Sequence, residues 1–161
     1  MTLEQKEKLL NEIGKLHHRY ELSKTVGPDY YEPGMMEYLD QYDGRFDEET
    51  GQITLRFEVK GTRYEGRIEQ IEKIEAGDKV LLIRESENTH NPNNFAVHTV
   101  KDNDIGNMPA ELCNALAPIY DEGSLIITES RVSYVEPISK RSRFAKQAIL
   151  FVELSGSLLF E

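Results

Sequence analysis

The sequence is short of several things at once. It holds one cysteine, Cys113, in 161 residues. A single thiol cannot close an internal disulfide, and the count fits a reducing compartment, so a cytoplasmic location is the expectation. Long apolar runs are missing too, and no segment reads as a membrane span. The opening MTLEQKEKLL has no apolar core of the signal-peptide kind. Basic residues are outnumbered: 19 Lys and Arg face 29 Asp and Glu, a formal net charge of −10 at pH 7. That balance argues against nucleic-acid binding through bulk electrostatics, because phosphate binding rewards cations. Catalytic signatures are absent as well. There is no G-x-S-x-G, no P-loop and no dinucleotide fingerprint. His17 and His18 are adjacent on a predicted helix and point to different sides, and no Cys or His spacing suits zinc. Cys113 falls on the apolar side of another predicted helix and reads as core. The chain is therefore read as non-catalytic, with no cofactor and no metal expected.

What remains is an ordinary soluble composition, 39% hydrophobic and 30% charged, on a chain long enough to bury its own core. The charge is uneven. Residues 32–49 carry seven acids and one Arg, whereas 139–146, SKRSRFAK, carry four bases and no acid. A local basic strip on an acidic protein can still steer an anion.

Along the chain, residues 2–22 predict an amphipathic helix, with Leu3, Leu9, Leu10, Ile13, Leu16 and Tyr20 near one stripe. Thr2 and Gln5 form a capping-box pattern at its start. KTVGPDYYEPG breaks the helix, MMEYLDQY suggests a short helical turn, and DGRFDEETGQ reads as a turn-rich acidic connector. From Ile53 the period becomes two, with Ile53, Leu55, Phe57 and Val59 alternating with polar residues as in a half-buried strand. Ile68, Ile71 and Ile74 mark a short helix, and KVLLIR, NFAVHTV and IGNM follow as strands. Pro109 opens a helix with Leu112, Leu116 and Ile119 on one face, Pro118 is expected to end or bend it early, and Gly123 suits its C-terminal cap. SLIITESRVSYV and AILFVELSG are two more strands joined by the basic loop. The fold expected is mainly β with helices (α+β): residues 1–50 form a helical extension and acidic connector, and 51–161 a small barrel.

Three blocks, in order and at natural spacing, carry a resemblance: GTRYEGR (61–67), GDKVLLIRESENTHNPNNFAV (77–97) and IGNMPAELCNALAPIYDEG (105–123). Together they resemble the HIRAN domain over about residues 53–154. The resemblance implies a compact OB-like β-barrel with two short helices, in a free-standing protein of the bacterial type. It also implies binding of a single-stranded DNA 3′ end, with a base stacked on an aromatic ring and the terminal hydroxyl bonded. Residue by residue, Arg63 and Tyr64 match the family's basic–aromatic pair, and Asn88 matches its loop asparagine. His90 stands where Tyr is usual, Asn91 where Asp is usual and Asn107 where Tyr or His is usual. Asn94 replaces a small Ala, and Ala110 replaces a cation.

The residues support the same site on their own chemistry. Tyr64 and His90 are flat enough to stack, Arg63 has a fork that suits phosphate, and Asn88, Asn91 and Asn93 could read edges or sugar hydroxyls. Lys140, Arg141, Arg143 and Lys146 could track a backbone. Each also has a plain reading. Asparagines build turns, which suits Asn93 and Asn94 best and stands level with binding for Asn88 and Asn91. Arg63 could pair with an acid, and the basic loop could be a solvated hairpin. Arg84 and Glu85 read as a cross-strand ion pair. The partner expected is single-stranded nucleic acid, with no membrane. The alternative is a protein-interaction or structural module with a degenerate DNA site, self-associating or docking through the N-terminal helix.

Overall fold

The computed structural model describes residues 1–25, 38–64 and 66–159. Most of the proline- and glycine-bearing break after the first helix lies outside the described residues, as do the first three residues of the helical turn expected after it; the rest of that turn holds a short 3-10 helix, Leu39–Gln41.

The first helix, α1, runs Leu3–Thr25. Its start is the reciprocal box expected: Gln5 N–H donates to Thr2 Oγ1 (3.1 Å) and Thr2 N–H to Gln5 Oε1 (2.8 Å). Leu9, Ile13 and Leu16 form its buried stripe. No helix among the described residues is long and apolar enough to cross a membrane.

Among the described residues seven strands follow, in two antiparallel sheets. The larger has the order β1 (Asp43–Phe46), β2 (Gln52–Glu58), β7 (Ile149–Leu158), β6 (Leu125–Glu136). The smaller has the order β3 (Val80–Glu85), β4 (Asn94–Thr99), β5 (Asp104–Asn107). A short helix, α2 (Arg67–Ile71), precedes β3, and α3 (Ala110–Asp121) follows β5. The period-two stretch becomes β2, with Ile53, Leu55 and Phe57 inside and Thr54, Arg56 and Glu58 at least partly outside.

Two single-residue bridges join the sheets, Lys60 with Asn107 and Lys79 with Arg131. Following hydrogen-bonded neighbours gives a ring: β2, β7, β6, a bridge, β3, β4, β5, a bridge, and back to the end of β2. The strands thus curl around one core containing Phe57, Phe95, Leu116, Ile119, Leu150 and Val152. The α+β reading stands, but the ring is completed at two places by bridges, not by continuous ladders.

Three local expectations need correction. Asp43–Phe46, read as connector, is strand β1, paired residue for residue with β2 from Asp43–Arg56 to Phe46–Ile53. Gly44 is where α1 lies against it: a Cβ there would fall on the Ile13 carbonyl oxygen. Pro118 neither ends nor shortens α3. It sits in the last turn, where it forfeits one intrahelical bond, and the helix continues to Asp121. The stop comes from Gly123, at φ 85°, with Ser124 N–H returning to the Ile119 carbonyl (2.8 Å). Among the described residues Arg84 and Glu85 make no cross-strand ion pair: Arg84 pairs with Asp121 on α3, and Glu85 accepts from the neutral amide of Asn94. Adjacent strand residues face opposite ways, and each finds a partner on its own side, as described below.

Candidate functional site

The turn after β2 begins at Gly61, whose φ of 75° suits glycine. Thr62 is buried and donates its hydroxyl to the Ala148 carbonyl (2.8 Å), tying the turn to the far end of the basic loop. Tyr64 then projects outward and is 55% exposed. Two guanidiniums flank its ring, those of Arg63 and Arg67, each 5.4 Å from the centroid. Arg67 is fixed by bonds to the Gly61 carbonyl (2.9 Å) and to Asp104 (3.0 Å). Arg63 has no carboxylate partner among the described residues, so it does not fulfil the ion-pair reading.

The asparagine loop between β3 and β4 is built from its own amides. Asn88 Oδ1 accepts the N–H groups of His90 (2.9 Å) and Asn91 (3.0 Å). Asn91 Oδ1 accepts the Asn93 N–H (3.0 Å), while Asn91 and Asn93 both donate to Asn114 Oδ1 on α3 (3.2 Å each). Asn94 is 7% exposed and donates to Glu85 (2.6 Å) and Asn107 (3.0 Å). Arg84 completes the frame. It forks onto Asp121 (3.0 and 2.8 Å) and also holds the Pro92 carbonyl (2.6 Å). His90 is exposed, with no side-chain bond among the described residues.

A row of polar groups crosses the end of the smaller sheet. Glu85 lies opposite Asn94, and Asn107 opposite Ala96. Asn107 in turn sits 3.5 Å from where a Gly61 Cβ would be, as does the Tyr64 ring. The row therefore runs Tyr64, Gly61, Asn107, Asn94, Glu85, Asn88. Arg63 and Tyr64 stand at one end and the His90 loop at the other. Among the described residues no bond or ring contact joins His90 to Arg63 or Tyr64.

The basic loop lies beyond the Tyr64 end. Ser139 anchors it by donating its N–H (2.9 Å) and its hydroxyl (2.6 Å) to Glu72, just after α2. Those bonds, with Lys140 nearby, hold the Glu72 carboxyl below its ordinary range. Arg143 stacks on Phe144 (4.9 Å), whose ring is 76% exposed. Among the described residues, Arg141 Nε and Nη1 are buried without a hydrogen-bond partner. Sequence reasoning passed over Phe144 and Arg67. A lone aromatic among four cations was the signal for the first; nothing local marked the second, because its partners are Gly61 and Asp104.

Elsewhere, burial pushes the Cys113 thiol up to about 11, which leaves it inert at neutral pH. Among the described residues no group of three or more His, Cys, Asp or Glu could hold a metal ion. Ala110 is exposed at the start of α3 and offers no contact to phosphate.

A family model described as the HIRAN domain matches residues 53–147. No curated protein matches the chain. Among solved structures, the crystal structure of the HIRAN domain of human HLTF is 24% identical, covers 67% of this chain and 81% of that one, and has a TM-score of 0.49. A crystal structure of a protein from Lactobacillus plantarum is 20% identical, covers 65% of this chain and 98% of that one, and has a TM-score of 0.49. The NMR structure of the HLTF HIRAN domain in its DNA-bound conformation is 26% identical, covers 65% and 75%, and has a TM-score of 0.44.

Proposed function

This chain belongs to the HIRAN domain family, and on that premise we propose that it is a nucleic-acid-binding module that takes the 3′ end of a single DNA strand at the Tyr64 turn. The observation that carries the reading is the Tyr64 ring, more than half exposed between two guanidiniums, one of which has no acidic partner. A base has a flat face to stack on and a phosphate has a free fork beside it. Arg67, already committed to Asp104, holds the ring's other side and keeps it from collapsing onto the sheet.

In this reading Arg63 takes the first phosphate, and Lys140, Arg141 and Arg143 supply the backbone contacts that follow. Asn91 meets the terminal hydroxyl through the second lone pair of Oδ1, since the first accepts the Asn93 N–H. Asn88 positions His90 and Asn91 with its oxygen and keeps one amide N–H for the strand, the other facing Glu85 (3.3 Å). His90 stacks on a flanking base.

The experiment is a titration of labelled single strands ending in a free 3′ hydroxyl or a 3′ phosphate. Tighter, salt-sensitive binding of the free end is expected. Negligible and equal binding of both overturns the proposal. The rival reading, a protein-interaction module, draws support from the −10 charge and from the asparagines already engaged. Its self-association variant loses its apolar surface, because the stripe of α1 is spent on the chain's own core.

A further inference from the structure

The unpartnered cations do not end at the basic loop. A cavity of about 310 Å³ lies between α2 and the opposite end of the smaller sheet. Three lysines line it, Lys73, Lys79 and Lys101, over a floor of Ile74 and Val80. None of the three is in an ion pair among the described residues. On a chain with ten more acids than bases, a hollow lined by three lysines and a single carboxylate, Asp78, stands out.

The carboxylates near the cavity have other hydrogen-bond partners, and Asp104 is paired with a cation. Glu72 accepts from Ser139, Asp102 faces His98 (2.9 Å) and Asp104 holds Arg67 (3.0 Å). Asp78, which lines the cavity, accepts the Glu75 N–H (2.9 Å). Buried isoleucine and valine at the base lower the local dielectric and strengthen the lysines' field. Val100, 59% exposed at the rim, gives a base or sugar an apolar surface to rest on.

The cavity is joined to the Tyr64 site through α2. Arg67, at the start of that helix, lies over the Tyr64 ring and bonds Asp104, and Lys73, two residues past its end, lines the cavity. The basic loop bridges the gap on the outside, since Ser139 is bonded to Glu72, the residue before Lys73.

We propose that the Lys73–Lys79–Lys101 cavity is a second phosphate-binding subsite, which takes the backbone of the same DNA strand several nucleotides from the end held at Tyr64. This rests on the function proposed above and extends it, by giving the module a footprint longer than its terminal contact. Part of the affinity for long strands then comes from the lysines and is electrostatic.

The test compares a strand of about 3 nucleotides with one of about 12, a span within the range for small barrels. Wild type is expected to bind the longer strand more tightly. K73Q/K79Q/K101Q is expected to bind the short strand normally, lose the gain with length and show a salt slope for the long strand shallower by about 2. A control, K8Q/K15Q/K24Q on α1, has the same net charge and is expected to retain the gain. Circular dichroism checks that all variants fold. If wild type gains nothing with length, or the two triple variants lose affinity equally, the subsite is overturned and the terminal site stands. If neither strand binds wild type at any length, the terminal reading falls and the subsite with it.

Discussion

Tyr64 is held out in water by its neighbours, and a core role for it is excluded by its exposure. Tyr64→Ala should therefore leave the thermal midpoint nearly unchanged while weakening single-strand binding by about 1–3 kcal/mol, the usual worth of one stacked base. Fluorescence anisotropy with a parallel melt separates the two effects. Cys113 is the converse case. Its thiol, pushed up to about 11 by burial, should react with a disulfide-exchange reagent only as fast as the protein unfolds. A labelling rate that follows denaturant concentration is the expected signature. Asp43 couples the fold to pH. Burial raises its pKa, but bonds from Arg45, His17 and the Gly44 N–H outweigh that and leave it below the ordinary value. A depressed carboxyl stabilises the fold above its unfolded pKa of about 4 and loses that contribution as pH falls through the folded value. Asp43→Asn should thus lower stability near neutrality and flatten the acid limb of a urea-midpoint profile.

Elements show how far the sequence could be read. β2, β3, β4 and β7 were legible because apolar residues mark them, and α2 because Ile68 and Ile71 recur at a helical spacing, although Ile74, expected in the same helix, lies past its end. β1 was not legible. Its four residues, Asp-Gly-Arg-Phe, carry no apolar alternation, and only pairing with β2 makes them a strand. The asparagine loop was half legible. Its turn-forming bonds are local, but what locks the amides is Asn114 and Asn107, partners 13 to 23 residues away. The Tyr64 turn could be found from its own residues, whereas Arg67's place beside it depends on Asp104, 37 positions on. Two substitutions probe these elements. Gly44→Ala should push α1 off β1, because the new methyl meets backbone at Ile13 and not a movable side chain. A loss of about 1–3 kcal/mol is expected by denaturant titration. Asn94→Ala should cost about 2 kcal/mol, since it strips Glu85 and Asn107 of a shared buried donor.

At the scale of the whole molecule, charge and topology act together. The chain is strongly acidic, yet cations without acidic partners gather around the Tyr64 turn, the basic loop and the lysine cavity. Association should therefore be slow for a protein without a net positive field, and its affinity should fall steeply as salt rises. The two joints of the ring lie at the margins of this same surface. Lys60, one residue before Gly61, exchanges both N–H bonds with Asn107 (2.8 and 2.9 Å), and Lys79 faces Arg131 at the rim of the cavity. A ring fastened by two such rivets opens there before it opens along any full ladder. A strand lying from the first rivet to the second would act as a splint, so bound DNA should slow deuterium uptake at Lys60 and Asn107 more than at β7 in the middle of the larger sheet.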